Sequence, residues 1–360
     1  MMERLFKAFQ LLLAPVRGSL YLAVAMSAAI FAVATGIVGA SVVLLGVMAA
    51  PTMNKCGYDV RMSSGIITAG GTLGILIPPS VMLVVMGPIV GVSVVDLFAA
   101  AIIPGVILAG LFGGYALVRS FIQPHMGPPL PKDQRADSLM VILKELSVGL
   151  VPPAGLVMAC LGSILFGWAT TTEGAAMGAC GAVVLILAYR RFTWARVYKA
   201  GMQTLEVTGM VVFLVGASNF FGAVFSRLGT PTMITEALIG LGLGPFGTIL
   251  IILLIIFILG WPLEWIPIVL IVVPIVLPVI QAFEINLIWF SILVAVCLQT
   301  AWLSPPVALA SYWLKGVVPE WQLKDIYIGM LQFMGLQAMG TLLLLFFPQI
   351  VLWLPSLLSP

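Results

Sequence analysis

The stretch Gly70–Ser80 carries the residue types with the clearest chemical use in this chain. It is apolar enough for a lipid bilayer, yet it contains three glycines, two hydroxyl side chains and the tandem prolines Pro78-Pro79. Consecutive prolines remove backbone N–H donors and clash with the preceding turn, so we expect a helix to break here. A broken helix at membrane depth leaves free N–H and C=O groups, which are tolerated only where protein or a water-filled cavity surrounds them. Such groups are suited to holding ions and a solute during transport.

A second copy of this pattern follows 227 residues later, where Ser304 precedes Pro305-Pro306. Pro51 and Pro278 repeat at the same spacing. Upstream of these prolines, each half has a glycine-marked break, at Gly36 and at Gly260. Downstream, Asp96-Leu97-Phe98 matches Asp325-Ile326-Tyr327 at an offset of 229, a slip of two residues. Paired interrupted segments in corresponding positions are the best sequence indication of a transporter's binding site. The pattern predicts two internal repeats, which we expect to be inverted relative to the membrane.

The composition places these segments in a membrane protein. The 360 residues are 62% hydrophobic and 8% charged, against about 25% charged in soluble domains, and the mean hydropathy is +1.20. The net charge of +3 gives no reason to expect a nucleic-acid partner. The four cysteines are far apart and the one histidine, His125, lies in a proline-rich loop, so neither a disulfide framework nor a metal site is predicted. We therefore predict an all-α, polytopic membrane protein.

The same sequence disfavours other functional classes. It contains no His/Cys/Asp metal spacing and no nucleophile elbow, which argues against a membrane enzyme. It has no GxxxxGK[ST] motif, so ATP hydrolysis by this chain is not expected. A channel or a structural scaffold would not explain two matched broken hairpins. A transporter subunit accounts for all of these features.

The charge-free runs predict how the chain is divided. We expect a first repeat at 1–122 with a hairpin at about 20–51 and a broken helix at about 62–90, a polar connecting loop at 123–145, scaffold or arm helices at 146–225, and a second repeat at 226–360 with a hairpin at about 246–283 and a broken helix at about 286–314. The segment Arg190–Lys199 has four positive charges and no acid. The positive-inside rule therefore places it on the cytoplasmic side.

Several motifs, in order along essentially the whole chain, resemble the large permease subunit of TRAP (tripartite ATP-independent periplasmic) transporters. They are Gly71–Ser80, Asp96-Leu97-Phe98, Pro104-Gly105, Ala169–Ala176 and Pro274–Pro278. The branch often labelled mannitol/chloroaromatic is the most similar, on the motifs Leu259-Gly260, Glu264-Trp265, Ser304-Pro305-Pro306 and Leu314-Lys315-Gly316.

The resemblance implies an elevator-type secondary transporter whose transport domain holds two re-entrant hairpins and two broken helices. Such a protein is a multi-pass component of the cell inner membrane, driven by sodium rather than by ATP. It needs no cofactor beyond the coupling ion. Its implied partners are a small permease subunit, a periplasmic solute-binding protein and a small organic solute, commonly a carboxylate.

The sequence also departs from the family pattern. Family members usually begin with further transmembrane segments before the stretch equivalent to Met1–Arg17. This difference is explained by a misplaced start codon, by truncation, or by helices that another chain supplies. Glu264 stands where many relatives have aspartate, and Thr35 stands where many have serine, which keeps the hydroxyl.

Sodium is small and hard, so oxygen ligands at unwound helix ends suit it. We expect two ion sites, one from Thr35, Gly36, Gly39, Thr72 and Gly74, and the other from Gly260, Glu264, Thr300 and Ser304. The alternative for the glycines is close helix packing, which also favours small residues. Half-helix N-termini at Pro78, Pro79 and Ser80, and at Pro305 and Pro306, are expected to face an anionic solute group, because that end of the helix dipole is positive.

Two acidic residues have competing interpretations. A carboxylate in an otherwise uncharged run, as at Glu264, is a functional candidate in a membrane, but it is equally an exposed hairpin tip or a helix cap. Glu173 follows three threonines at an expected helix start, where capping explains it better. No arginine or lysine falls inside a charge-free span. The competing functional assignments are a stand-alone elevator carrier for dicarboxylates or other anions, and an inactive truncated permease.

Overall fold

The computed structural model describes residues 2–130, 139–305 and 307–358, and their regular secondary structure is entirely helical. Seven helical segments are long and apolar enough to cross a membrane, at Val38–Lys55, Val94–Ile122, Ile142–Leu165, Thr171–Ala188, Trp194–Arg227, Trp265–Ala282 and Leu323–Phe346. The predicted all-α, polytopic membrane protein is therefore confirmed.

The first third of the chain forms six helices, and polar side chains fix where several of them begin. The helices are α1 (Met2–Leu12), α2 (Ser19–Thr35), α3 (Val38–Lys55), α4 (Val60–Thr72), α5 (Val81–Val90) and α6 (Val94–Ile122). The Asp59 carboxylate accepts the Met62 N–H at 2.8 Å, which caps the start of α4. The Ser93 hydroxyl accepts the Val95 N–H at 3.2 Å at the start of α6.

Helices α2 and α3 form a tight hairpin. The turn between them is Gly36-Ile37, and Gly36 has a left-handed backbone with φ of 60°. A side chain at this position would be strained, so glycine permits the short turn. The next helix then breaks, because α4 tightens into a 3₁₀ turn at Leu73–Ile75 and α5 starts only at Val81, after the tandem prolines.

The last part of the chain follows the same plan. Its helices are α12 (Gly244–Leu259), α13 (Trp265–Pro267), α14 (Val273–Ala282), α15 (Leu287–Gln299), α16 (Leu309–Val317), α17 (Leu323–Phe346) and α18 (Gln349–Leu358), with a π turn at Ile268–Val272 and a 3₁₀ turn at Thr300–Trp302. A hairpin with its tip at residues 260–264 thus precedes a helix that breaks between α15 and α16.

The described middle part of the chain forms five helices, and the last three of them are largely exposed. They are α7 (Leu139–Val157), a π turn (Met158–Gly162), α8 (Ser163–Leu165), α9 (Thr171–Ala188), α10 (Trp194–Arg227) and α11 (Thr230–Gly240). Residues 131–138 of the predicted connecting loop lie outside the described residues, and α7 begins before that loop was expected to end. Helix α10 begins inside the basic segment, directly after Thr193, which has the extended backbone of an N-cap residue.

The buried core lies where α4 and α17 cross. A Cβ built on Gly329 of α17 would overlap the Arg61 carbonyl oxygen of α4, so the two backbones touch. Phe333 then packs edge-on against Tyr115, with ring centroids 5.6 Å apart. At the starts of both helices, Arg61 Nε pairs with Asp325 Oδ1 at 2.8 Å. These contacts hold the first broken helix firmly against the C-terminal part of the chain.

Candidate functional site

The two broken helices meet at a buried cluster of polar side chains. The Thr72 hydroxyl, at the end of α4, donates to the Ala69 carbonyl at 2.7 Å and lies 3.4 Å from Gln299 Oε1, at the end of α15. Gln337 Nε2, on α17, donates to the same Gln299 oxygen. All three residues are fully buried, and Gln299 Nε2 and Gln337 Oε1 have no partner among the described residues. A buried amide atom without a hydrogen-bond partner lowers the stability of the folded protein. This cluster is therefore an energetically unfavourable polar site inside an apolar core.

The tip of the first hairpin is closed by hydroxyl groups. Thr35 Oγ1 lies 2.6 Å from Ser41 Oγ and donates to the Phe31 carbonyl at 2.9 Å. The Ser41 hydroxyl oxygen also lies 3.1 Å from the Ile37 carbonyl oxygen. Helix α3 is thus tied back to the end of α2 across the turn. The oxygen atoms of this tip lie close together, as a hard cation requires.

This tip packs directly against the break in the first helix. A Cβ built on Gly36 would lie 3.4 Å from the Pro79 carbonyl oxygen, and one built on Gly74 would lie 3.4 Å from Ser41 Oγ. Gly39 faces a different neighbour, because its Cβ would lie 3.0 Å from Trp313 Cε2. The structure therefore brings Thr35, Gly36 and Gly74 together. Thr72 instead contacts the second broken helix, and Gly39 packs against an aromatic ring.

The second predicted ion cluster is only partly assembled. A Cβ built on Gly260 would lie 3.2 Å from Ala301 Cβ, so the second tip contacts the 3₁₀ turn after α15. The Thr300 hydroxyl donates to the Cys297 carbonyl at 2.6 Å, and the Ser304 hydroxyl donates to the Thr300 carbonyl at 2.6 Å. Both hydroxyls are buried, and each donates to a carbonyl three or four residues earlier in the chain. Ser304 Oγ also lies 3.2 Å from Met334 Sδ, which leaves it turned toward α17.

A cavity of ≈ 160 Å³ lies where both hairpin tips and both broken helices converge. The first hairpin contributes residues around Gly36 and Gly39, and the second contributes Glu264 and Trp265. The broken helices and α10 supply the rest of the wall, through Ile75, Val81, Met82, Trp302, Trp313, Val207, Met210 and Val211. We call this space the shared cavity. Its volume suits a small solute, since sites for drug-sized ligands run to roughly 300–1,000 Å³.

Glu264 occupies a special position in this arrangement. It lines the shared cavity and also a second cavity of ≈ 140 Å³ behind the tip, together with Gly260 and Ala301. Trp302 is the other residue that lines both spaces. No arginine or lysine among the described residues lines the shared cavity. Glu264 is therefore the one acidic or basic side chain among the described residues that line the shared cavity, and burial raises the pKa of its carboxyl.

The helix end marked by Pro78-Pro79 lies next to the shared cavity, because Val81 and Met82, the first residues of α5, line that cavity. Ser80 is the N-cap of α5, and its buried hydroxyl donates to the Ile75 carbonyl and accepts the Leu83 N–H at 3.5 Å. Pro78 is buried and Pro79 is half-buried. In the second half, Pro305 is half-buried, α16 starts at Leu309, and Pro306 lies outside the described residues.

Several residues of this region are not identified by the glycine, proline and charge patterns of the sequence. Gln299 is a polar amide in a charge-free span, so a search for uncharged polar residues would have found it. Val207, Met210 and Val211 belong to an apolar run in α10 that nothing distinguishes from a lipid-facing surface.

Glu173 behaves as the capping interpretation predicts, because its carboxylate accepts the Thr170 N–H at 2.8 Å and its own N–H donates to the Thr170 hydroxyl at 3.3 Å.

Comparison with known proteins gives a consistent result. Residues 1–350 match the family model described as the tripartite ATP-independent periplasmic transporter, DctM component. The chain is 30% identical to a C4-dicarboxylate TRAP transporter large permease protein of Vibrio cholerae, over 95% of this chain and 78% of that relative. It is 27% identical to an ectoine/5-hydroxyectoine TRAP transporter large permease protein of Ruegeria pomeroyi, over 95% of this chain and 77% of the relative. A sialic acid TRAP transporter permease protein of Haemophilus influenzae is 24% identical, over 88% of this chain and 50% of the relative.

Proposed function

Because this chain belongs to the family of DctM components of TRAP transporters, a family of transporter permeases and not of enzymes, we propose that it is the large membrane subunit of a sodium-coupled system. The system moves a small organic acid or a related solute across the cell inner membrane. Relatives named for the transport of C4-dicarboxylates, sialic acid and ectoine support this range of solutes. The mannitol/chloroaromatic assignment stays a prediction within it.

The observation that carries the proposal is the shared cavity. Both hairpin tips and both broken helices reach it, which is the arrangement expected for a solute site between two repeats. A cavity bounded by two hairpin tips can open to either side of the membrane by moving one tip or the other. We therefore propose that the two hairpins are re-entrant, and that the hairpins and broken helices move together as the transport domain of an elevator.

Sodium coupling is supported by the chemistry of the tips. Thr35, Ser41 and the backbone near Gly36 and Gly74 place several oxygen atoms close together at the first tip. At the second tip, Glu264 adds a carboxylate beside Gly260. Since the two tips differ in charge, we propose that the two ion sites have different affinities, with the carboxylate site the tighter one.

The solute's own charge needs a partner in this site. Without arginine or lysine in the cavity wall, an acid group would be met by bound sodium, by backbone N–H groups at the start of α5, and by indole N–H groups. Trp302 Nε1 is buried and has no partner among the described residues, and its ring lines the shared cavity. This arrangement makes solute affinity depend on sodium, which is the thermodynamic basis of coupling.

The partners follow from the family and from the exposed surface. TRAP large permeases work with a small permease and a periplasmic binding protein, and we propose both for this chain. Helices α9 and α10 are exposed along almost their whole length, with only Gly174 and Ser218 buried among their described residues. Their apolar surfaces are available to lipid and to a small membrane subunit.

The decisive experiment is uptake into proteoliposomes that contain this chain, its candidate small subunit and its candidate binding protein. We expect uptake only with all three parts and an inward sodium gradient, and loss of uptake in Thr72→Ala. Uptake by this chain alone without sodium would support a stand-alone carrier and contradict the proposal. Absence of uptake that is restored by adding upstream-encoded helices would support a truncated permease.

A further inference from the structure

A basic cavity of ≈ 720 Å³ lies away from the proposed transport site, between α1, α3, the end of α9 and the start of α10. It shares no lining residue with the shared cavity. Three arginines line it, Arg4, Arg191 and Arg196, and Glu3 is the one acid in its lining. We call this space the arginine cavity. The net positive charge of this lining favours the binding of an anion.

The turn that ends α9 holds two of these arginines in place. Arg190 has a left-handed backbone with φ of 52°, its N–H donates to the Leu187 carbonyl at 2.9 Å, and the Arg191 N–H donates to the Ile186 carbonyl at 2.9 Å. This is the bonding pattern of a Schellman motif. A guanidinium N–H of Arg196 donates back to the Arg191 carbonyl. The basic residues are thus built into a defined turn at the cavity edge.

Among the described residues, no carboxylate forms an ion pair with any of the three guanidinium groups. Within the described parts of the chain, the ion pair found is Arg61 with Asp325, which is elsewhere. Three positive charges and one negative charge in one cavity leave an excess of two positive charges. The planar fork of an arginine binds phosphate oxygens through two parallel N–H···O bonds, so converging arginines are suited to phosphate.

The remaining walls are apolar. Leu44, Leu185 and Ile186 line the cavity, and Tyr189 stands at its edge, as tyrosine often does at a membrane interface. The apolar surface continues outward on α9, where Val184 is 62% and Leu187 is 54% exposed. A ligand that satisfies both surfaces carries a phosphate and hydrocarbon chains. Basic pockets between membrane helices on the cytoplasmic side bind acidic lipid headgroups in this way.

We propose that the arginine cavity binds the phosphate of an anionic phospholipid, whose acyl chains lie along α9. The lipid would fill the space between α3 of the first hairpin and the arm helices. The site is independent of the transported solute and of sodium. It would make the protein's activity and stability depend on the lipid composition of the membrane.

The test is binding of dioleoyl phosphatidylglycerol to the purified, delipidated chain in detergent, counted by native mass spectrometry. We expect at least a tenfold preference over dioleoyl phosphatidylcholine, and loss of that preference in the double variant R191Q/R196Q. The matched control R190Q/K199Q removes the same charge from the same segment, outside the cavity lining, and should keep the preference. Since Arg196 also supports the turn, Arg4→Gln on α1 provides a second variant, expected to weaken binding several-fold.

Three outcomes would overturn the proposal. The control variant could lose the preference as fully as the cavity variant, which would assign binding to general positive charge. Wild-type protein could bind both lipids equally. Finally, inorganic phosphate at the same concentration could displace phosphatidylglycerol, which would assign the cavity to free phosphate rather than to lipid.

Discussion

Thr72 and Gln299 touch in the centre of the molecule, with Oγ1 of one residue 3.4 Å from Oε1 of the other, and they are 227 positions apart in the chain. The same spacing relates α4 to α15, each of which ends at one of these residues. They therefore occupy equivalent positions in the two broken helices. Equivalent positions contact each other where a two-fold axis passes between two copies. This contact is where such a pseudo-symmetry axis would cross the proposed repeats.

The first prediction concerns the amide pair beside this contact. Gln299→Leu removes the acceptor of Gln337 Nε2 and leaves that buried group without a partner, so we expect a cost of about 1–3 kcal/mol. The double variant Q299L/Q337L removes both amides and should cost less than the sum of the single changes. Thermal unfolding in detergent measures each value. Additive single and double effects would contradict the amide contact.

The second prediction tests the crossing of α4 and α17. Gly329→Ala places a Cβ on the Arg61 carbonyl oxygen, a backbone atom that cannot rotate away, so we expect a loss of about 3 kcal/mol or more. Gly335 lies in the same helix with nothing within 4 Å of a built Cβ. Gly335→Ala should be neutral or stabilising by up to about 1 kcal/mol, because alanine favours helix. Equal melting temperatures for the two variants would show that the helices do not cross here.

The third prediction tests Glu264 as a functional carboxylate. We expect Glu264→Gln to lower sodium-driven uptake at least tenfold, because it removes the charge that both cavities at the second tip share. Glu284 follows α14 on the same hairpin and lines neither cavity, so Glu284→Gln should stay within twofold of wild type. The sodium concentration for half-maximal uptake should rise in the first variant alone. Unchanged sodium dependence in Glu264→Gln would assign this residue to the hairpin's exposed tip.

The fourth prediction separates the hydroxyl of Thr35 from its bulk. Thr35→Val keeps the shape but removes the hydroxyl that contacts Ser41 and Phe31, so we expect uptake to fall about tenfold if that oxygen serves an ion. Thr35→Ser retains the hydroxyl and should retain most of the uptake. Thr35→Val should lower stability by only about 0.5–1.5 kcal/mol, as for the loss of one hydrogen bond. Similar uptake in the two variants would remove Thr35 from the proposed ion site.

The breaks in the helices could be predicted because their causes are local. Pro78-Pro79 removes donors whatever surrounds it, and Gly36 supplies the left-handed turn of the first tip. The regular spacing between the two halves is equally a property of the sequence, and helix bounds in the structure follow it. For these features, backbone chemistry alone decides the outcome.

The contents of the site could be predicted less well, because they depend on side-chain direction. The Thr300 and Ser304 hydroxyls each donate to a carbonyl three or four residues earlier in the chain, a direction that the sequence pattern does not determine. The Gln299–Gln337 contact requires the register of α17 against α15, which no local pattern encodes. Likewise, Val207 reaches the shared cavity only because α10 crosses it, and long-range packing decides that.

The position of Val207 along α10 indicates how deep in the membrane the shared cavity lies. Val207 is the first residue of this helix to line the cavity, and it lies thirteen residues after Trp194, or about 20 Å along the axis. The basic residues Arg196 and Lys199 occupy the beginning of that distance, where the positive-inside rule places the membrane surface. With an ordinary tilt of about 20° and a hydrocarbon layer about 30 Å thick, we expect the shared cavity to lie near the bilayer midplane. A solute bound there would have about equal distances to travel to either face.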